Sequence, residues 1–249
     1  MSFQTGVQAF VDGSRLARRS DLLAYTLIPA LISLVIISAG TWIAFEQIES
    51  WGSTLSERLP SWLGFLEIVL VPLLYLIGVV LGIWLFGLLA VVISSPFLGI
   101  LSSAVERKVY GSAPEETGAW WASIGPTLMR ELRKLGYHLP RLLLVFVLTL
   151  IPLVNVAAPF IWLLFGAWTM AVQFCDFPVE NRQRPFKDTL LVLQKNRAAA
   201  LGFGLCTALV LAIPLLNFVL IPVAVSGGTL LWHQLTQTDN ATDDRRPHS

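Results

Sequence analysis

Four long apolar blocks, at residues 22–45, 62–105, 139–174 and 198–232, constrain the fold more than any other feature of the sequence. A helix needs about 20 residues to cross a hydrocarbon core of roughly 30 Å. Only 13% of the chain is charged, against about 25% in an ordinary globular domain, and the mean hydropathy is +0.70. The sequence therefore predicts a single all-α integral membrane domain.

Block lengths indicate how often each block crosses the membrane. Residues 22–45 suffice for one transmembrane helix, and residues 62–105 suffice for a second with an extension. The third and fourth blocks, at about 35 residues each, are too long for one crossing and short for two. Two long transmembrane helices are therefore predicted, and the other two blocks need a different arrangement.

Basic residues predict the side of the membrane on which each connection lies, because short cytoplasmic loops collect Lys and Arg. The stretch before the first block carries three arginines, whereas residues 46–61 carry one arginine beside three glutamates. The connections at residues 107–141 and 182–197 are both basic. The N-terminus, these two connections and the C-terminus are therefore predicted to be cytoplasmic, in a multi-pass protein.

The third and fourth blocks share one interruption, Ile-Pro-Leu, an aliphatic residue and Asn. Pro152 and Pro214 lack an amide donor and end or kink a helix. Asn155 and Asn217 can supply side-chain partners to backbone groups freed at a turn, which cost several kcal/mol if left unpaired in lipid. These four residues are therefore predicted to form turns within the membrane. They are either structural turns in a packed bundle or candidates for a pore.

The depth of these turns follows from helix length. Residues 140–151 form about 18 Å of helix, which reaches roughly mid-membrane. Both blocks are therefore predicted to be helical hairpins, at 139–174 and 198–232, that enter and leave on the cytoplasmic side. Two tight full crossings per block would give the same sidedness, and the sequence leaves that alternative open.

Residues 1–20 have the periodicity of an amphipathic interfacial helix, with Phe3, Val7, Phe10, Val11 and Leu16 on its apolar side. Two interpretations of its three arginines stay open. They either anchor the chain's orientation and touch lipid headgroups, or they form an anion-binding cluster, since a dianion needs charge-assisted donors. The candidate anion-binding residues are Arg15, Arg18 and Arg19.

The end of the second block carries another unusual stretch, "SSPFLGILSSAVERKVYG". Its proline and glycine should bend the helix, and Glu106 and Arg107 then mark a polar exit into water. Residues 236–249 are polar and are predicted to be a disordered tail.

Several function classes are excluded by missing patterns. The sequence has no H-E-x-x-H, P-loop or G-x-S-x-G motif. We therefore expect no enzyme activity, no cofactor, no metal site and no ATP hydrolysis by this chain. A net charge of +1 gives no indication of a nucleic-acid partner. Cys175 and Cys206 are expected to be free thiols.

The third block and its continuation, "HLPRLLLVFVLTLIPLVNVAAPFIWLLFGAWTMAVQFCDFPVENRQRPF", together with "IPLLNFVLIPVAVSGGTLLW" and "SSPFLGI", resemble the CysZ family of bacterial sulfate permeases. That family belongs to the wider etoposide-induced-protein family. The resemblance covers the chain from about Arg18 to Trp232. It implies a bacterial inner-membrane protein with two transmembrane helices and two partly penetrating hairpins. It also implies a homo-oligomer in membrane lipid that takes up sulfate, an inorganic oxyanion, for cysteine biosynthesis.

The sequence departs from that family just before the first membrane helix. Members carry a Gly-Leu/Ile-Arg type motif there, and this chain has Asp21, Leu23 and Ala24. Two hypotheses follow. The chain is a permease or channel for sulfate or a related small oxyanion, or it is a non-transporting membrane scaffold of the same fold that interacts with lipid or a partner.

Overall fold

The computed structural model describes residues 1–18, 31, 35, 38–43, 45–47, 50, 72–73, 75–80, 97–114, 124–212 and 217–243. All regular secondary structure in these residues is helical, as the sequence predicts. Residues 97–110 form a helical segment, named the 97–110 segment below. The other helices are α1 (Phe3–Ala17), α2 (Ile124–Thr149), α3 (Pro152–Asn155), α4 (Ala158–Cys175), α5 (Phe177–Asn181), α6 (Phe186–Lys195), α7 (Arg197–Leu211) and α8 (Asn217–Asp243).

The chain forms two compact units. One comprises Met1–Leu27 with Ser95–Ser249, and the other comprises Ile28–Ser94. The described residues of the second unit are helical, and their large apolar side chains are exposed. Most residues of the two predicted transmembrane helices, 22–45 and 62–105, lie outside the described residues.

Helices α2 and α4 form an antiparallel pair, named the first hairpin below. Trp168 Nε1 donates a hydrogen bond to Tyr137 Oη across 3.1 Å, and these residues lie 15 and 16 positions on either side of Pro152. Pro152 is at the first position of α3, where a missing amide donor costs nothing. The described part of the chain thus reverses direction at Pro152.

Backbone hydrogen bonds satisfy the turn of the first hairpin without help from side chains. The amide of Asn155 donates to Ile151 O at 2.9 Å, and that of Ala157 donates to Val154 O at 2.9 Å. The Asn155 side chain is exposed and has no hydrogen-bond partner among the described residues. The single helical turn of α3 pairs these backbone groups, so the asparagine is not needed for that purpose.

The outer half of the first hairpin is apolar on its surface. Leu153 is 89% exposed, Val156 83% and Phe160 70%. Large exposed apolar patches are typical of surfaces that contact a membrane or another protein chain. Ala158–Asn181, with 24 residues, is the only helical stretch within the described residues that is long and apolar enough to cross a membrane.

Helices α7 and α8 lie side by side and are named the second hairpin below. A Cβ atom on Gly227 would lie 2.9 Å from the ring of Phe203, and these two residues are 12 positions on either side of residue 215. The predicted turn at Pro214 is outside the described residues, and Asn217 is the first residue of α8.

Helix α1 packs against both helices of the second hairpin through small residues. Its buried residues are Gly6, Ala9, Gly13 and Ala17. A Cβ atom on Gly6 would lie 1.9 Å from the backbone oxygen of Ala199. Phe3 and Val11, which the sequence analysis placed on the apolar side of an interfacial helix, are exposed. Close backbone approach favours the glycine face, because any larger side chain would separate the helices.

Candidate functional site

Among the described residues of the larger unit, four charged side chains are buried, namely those of Glu106, Arg130, Lys134 and Asp176. Charged groups are almost never buried unless they are paired. These residues divide between two clusters. The Asp176 cluster comprises Thr127, Arg130, Lys134, Asp176, Glu180 and Thr189, and the Glu106 cluster comprises Glu106, Tyr110, Arg182, Trp232 and His233.

The Asp176 cluster is a closed network at the base of the first hairpin. Arg130 donates to both carboxylate oxygens of Asp176, from Nε at 2.7 Å and from Nη2 at 2.6 Å. Lys134 Nζ lies 3.0 Å from Oδ2, and the Thr189 hydroxyl donates to Oδ1 at 2.5 Å. Four donors occupy a carboxylate that is fully buried. No capacity is left for a ligand, so this cluster joins α2, α4 and α6 structurally.

Helical periodicity puts the cationic members of this cluster on one face of α2. Thr127, Arg130 and Lys134 recur at the intervals of one α2 face, and Thr127 also donates to Glu180 Oε1 at 2.8 Å. The sequence analysis counted Arg130 and Lys134 as charges of a connecting loop. In the structure both residues lie on a helix and turn inward to Asp176, while Leu132 on the opposite side is exposed.

The Glu106 cluster is only partly satisfied. Glu106 Oε1 accepts a hydrogen bond from Arg182 Nη1 at 2.7 Å and lies 3.0 Å from His233 Nε2. Its second oxygen, Oε2, and Nε1 of Trp232 are buried and have no hydrogen-bond partner in the described part of the chain. The Arg182 guanidinium lies 4.9 Å from the centroid of the Trp232 ring. The Arg182 side chain is 26% exposed, so this cation is reachable while its neighbours retain unused acceptor and donor atoms.

Polar residues extend the Glu106 cluster along the boundary between the 97–110 segment and α8. The hydroxyls of Ser102 and Thr229 are 2.8 Å apart, and the buried Ser226 Oγ has no partner within the residues that the structure describes. Tyr110 stacks on His233 with ring centroids 4.2 Å apart. Burial, and secondarily the charge of Glu106, raises the pKa of Tyr110. The boundary is therefore polar over several helical turns.

One backbone feature connects the two clusters. Gln183 has φ = 52°, a left-handed conformation that costs a residue other than glycine about 1–2 kcal/mol. It follows α5 and separates Arg182, which binds Glu106, from Arg184, whose carbonyl accepts from Arg130 Nη1 at 2.6 Å. This turn directs adjacent segments of the chain into different clusters, and those contacts support its strained conformation.

The residues predicted from sequence fall in different places. Arg15 is exposed and bound to Asp12 of its own helix at 2.9 Å. Arg18 follows α1 and is exposed. Arg19 lies outside the described residues.

The predicted polar exit and turn lie elsewhere in the fold. Glu106 is in a buried ionic cluster, and the adjacent Arg107 is exposed. Pro152 and Asn155 are at the exposed turn described above, and the predicted tail from residue 236 begins within α8, which continues to Asp243.

Sequence reasoning missed the other members of the Glu106 cluster. Arg182 was counted only among the basic residues of the connection at 182–197, and no functional role was given to Trp232 or His233. The signal that could have identified them is the position of His233 directly after a long apolar run, where a titratable residue needs a partner. Cys175 and Cys206 are free thiols, as expected. Within the described residues, no group of His, Cys, Asp and Glu could hold a metal ion.

These features define a helical membrane protein with a reachable cation among buried polar groups. Residues 9–222 match the family model described as "Sulfate transporter CysZ/Etoposide-induced protein 2.4". A sulfate transporter CysZ of Pseudomonas paraeruginosa is 40% identical over 231 residues, 92% of this chain and 94% of the relative. Proteins of that name from Pseudomonas fluorescens and Salmonella enteritidis are 37% and 33% identical, covering 97% and 92% of this chain and 98% and 92% of their own lengths. The chain belongs to this family of membrane sulfate transporters.

Proposed function

We propose that this chain is an inner-membrane permease or channel for sulfate or a related small oxyanion, which supplies sulfur assimilation without ATP hydrolysis. The Glu106 cluster carries the proposal, because Arg182 is a reachable cation beside unused polar atoms. A dianion that leaves water needs charge-assisted donors of this kind. The relatives named as sulfate transporters support the choice of ion.

Arg182 is the group that we assign to the anion in transit. In the structure, Glu106 binds Arg182 through one carboxylate oxygen. An arriving oxyanion competes with that oxygen for the guanidinium, while His233 stays beside Glu106. Exchange of one negative partner for another keeps the half-buried guanidinium paired, and His233 remains the neighbour of the buried Glu106.

The N-terminal arginines differ in how available each one is to bind a second anion. Arg15 already shares the carboxylate of Asp12, which reduces its attraction for an anion. Arg18 is exposed, and with Arg19 it forms the cytoplasmic mouth in our proposal. Arg107, next to Glu106, marks the polar exit.

In the proposed topology both termini are cytoplasmic and both hairpins enter the membrane from that side without crossing it. The turns at Pro152 with Asn155, and at Pro214 with Asn217, then lie at membrane depth near the anion path. The highly exposed Leu153 at the first turn supports burial in lipid or against another subunit. A homo-oligomer provides such cover.

Uptake of radiolabelled sulfate by liposomes that contain the purified chain tests the proposal. We expect Arg182→Gln to lower the initial rate about tenfold or more, since hydrogen bonds to charged groups contribute about 1.5–3 kcal/mol. The matched control is Arg184→Gln, two residues away on an exposed ion pair with Asp188, and its rate should stay near wild type. Replacement of both Arg18 and Arg19 by Ala should lower the rate less strongly. Wild-type rates equal to those of empty liposomes, for sulfate and other oxyanions, would favour the non-transporting scaffold.

A further inference from the structure

Arg141 differs from the other cations on its face of α2. It follows Arg130 and Lys134 by eleven and seven residues, so all three project from the same side of the helix. Arg130 and Lys134 bind Asp176, whereas Arg141 is exposed and no carboxylate contacts it among the described residues. Arg141, the last of the three cations along this face and the one nearest the membrane in the proposed topology, therefore has no counter-charge among the described residues.

The guanidinium of Arg141 is held in one orientation. It lies 3.6 Å from the centroid of the Tyr137 ring, and Nη1 donates to the Tyr137 carbonyl. Tyr137 is itself fixed by the hydrogen bond from Trp168 and by edge-on contact with Phe186, 5.9 Å between centroids. Arginine has five N–H donors, so a pre-oriented guanidinium with most of its donors unused faces outward.

His138 places a second unused donor on the same side of α2. Its Nδ1 lies 3.5 Å from the Thr169 hydroxyl, and its buried Nε2 has no hydrogen-bond partner among the described residues. If the hydroxyl donates to Nδ1, the neutral ring carries its proton on Nε2. Residues three apart on a helix are neighbours, so His138 and Arg141 project from adjacent positions of α2. Two unsatisfied donors on adjacent side chains match the oxygens of one anion.

We propose that Arg141 and His138 bind a tetrahedral oxyanion, a phosphate or sulfate group, where the apolar outer half of the first hairpin begins. Arginine binds such groups with two parallel hydrogen bonds. The group belongs either to an inorganic ion or to the headgroup of an anionic phospholipid, which basic pockets at the cytoplasmic side of membrane helices recognise. The nearest acid on α2 is Glu131, ten residues or about 15 Å of helix away, and Lys134 engages it.

Binding measurements on the full chain in detergent test this site without requiring transport. The two probes are radiolabelled sulfate and phosphatidylglycerol, the latter counted per chain by native mass spectrometry. Both are measured in an Arg182→Gln background, so that failure of the proposed anion path and failure of this site are distinguishable. We expect Arg141→Gln to weaken one probe at least tenfold and His138→Phe to weaken the same probe severalfold. Arg133→Gln, an exposed cation on the same helix, should change neither.

Loss of sulfate binding alone assigns the site to an inorganic ion, and loss of phosphatidylglycerol alone assigns it to a lipid headgroup. Arg141→Lys keeps the charge but loses the paired hydrogen bonds, so it should bind less well than wild type with unchanged thermal unfolding. This variant decides the question if Arg141→Gln does not fold. Retention of both probes at wild-type affinity in Arg141→Lys and Arg141→Gln, or absence of both from the Arg182→Gln protein, would overturn the proposal.

Discussion

The two hairpins contain the same Ile-Pro-Leu interruption, yet different forces attach them to the rest of the larger unit. The first is held at its base by a buried carboxylate, Asp176, with Arg130, Lys134 and Thr189 around it. The second is held by glycines, and a Cβ atom on Gly204 would lie only 1.8 Å from the backbone oxygen of Ala167 in the first hairpin. An ion network needs matched partners, whereas backbone packing needs the absence of side chains. The two hairpins should therefore respond to different substitutions.

The largest effect is expected from Gly204→Val. The new side chain would collide with backbone atoms of α4, which cannot move aside as a flexible side chain could. We expect the variant to be lost from the monodisperse fraction in size-exclusion chromatography. The matched control is Gly166→Val on α4, where an added Cβ would have no atom of the described chain within 4 Å. A folded Gly204→Val protein would show that the second hairpin is not packed as described.

Asp176→Asn should have the next largest effect, on the first hairpin. The amide leaves Arg130 and Lys134 buried without a full counter-charge, and loss of one partner from a buried ion pair costs about 3–5 kcal/mol. Unfolding in mixed micelles with increasing dodecyl sulfate measures the change. Asp188→Asn, which breaks an exposed pair with Arg184, should cost about 0.5 kcal/mol or less. Equal effects of the two substitutions would contradict a structural role for the Asp176 cluster.

Thr189→Val tests a single hydrogen bond of the same cluster. Valine matches threonine in shape but removes the hydroxyl that donates to Asp176. Hydrogen bonds to charged groups contribute about 1.5–3 kcal/mol, so the free energy of unfolding should fall by about that amount in the same micelle titration. In an Asp176→Asn background the effect of Thr189→Val should be smaller. An undiminished effect there would mean that the hydroxyl acts elsewhere.

The smallest effect, of opposite sign, is expected from Gly136→Ala on α2. No atom of the described residues lies within 4 Å of an added Cβ at this position, and alanine favours the helix over glycine by about 0.5–1 kcal/mol. The free energy of unfolding should rise by that amount. A loss of stability, or a shift in oligomeric state, would reveal a neighbour that packs against Gly136 in the membrane.

Local features of the fold could be predicted from the sequence. The apolar blocks indicated helices, and the break at Pro152 followed from the missing amide of proline, a property of one residue. The pairing of Glu106 with Arg182 joins residues 76 positions apart, and that of Arg130 with Asp176 joins residues 46 apart. In the sequence, the charges around Arg130 and Lys134 look like those of a cytoplasmic loop. Orientation rules count such charges, but they do not show whether the side chains face solvent or the protein interior.

The candidate site was predicted only in part for the same reason. Glu106 was identified at the end of an apolar run, where a charge changes the hydropathy pattern. Its partner Arg182 directly follows α5, and its partner His233 lies on α8. No periodicity within either segment relates these residues to Glu106. The buried glycine face of α1 was missed because hydrophobic periodicity gives weight to large side chains.

Sulfate uptake by a bacterial strain that lacks its other sulfate transporters tests the central claim most directly. The wild-type chain should restore growth on sulfate as the only sulfur source, together with uptake of labelled sulfate. Arg182→Gln, present in the membrane at equal abundance, should restore neither, while Arg184→Gln should restore both. Uptake by Arg182→Gln equal to that of the wild type would contradict the assignment of the Glu106 cluster to the anion path.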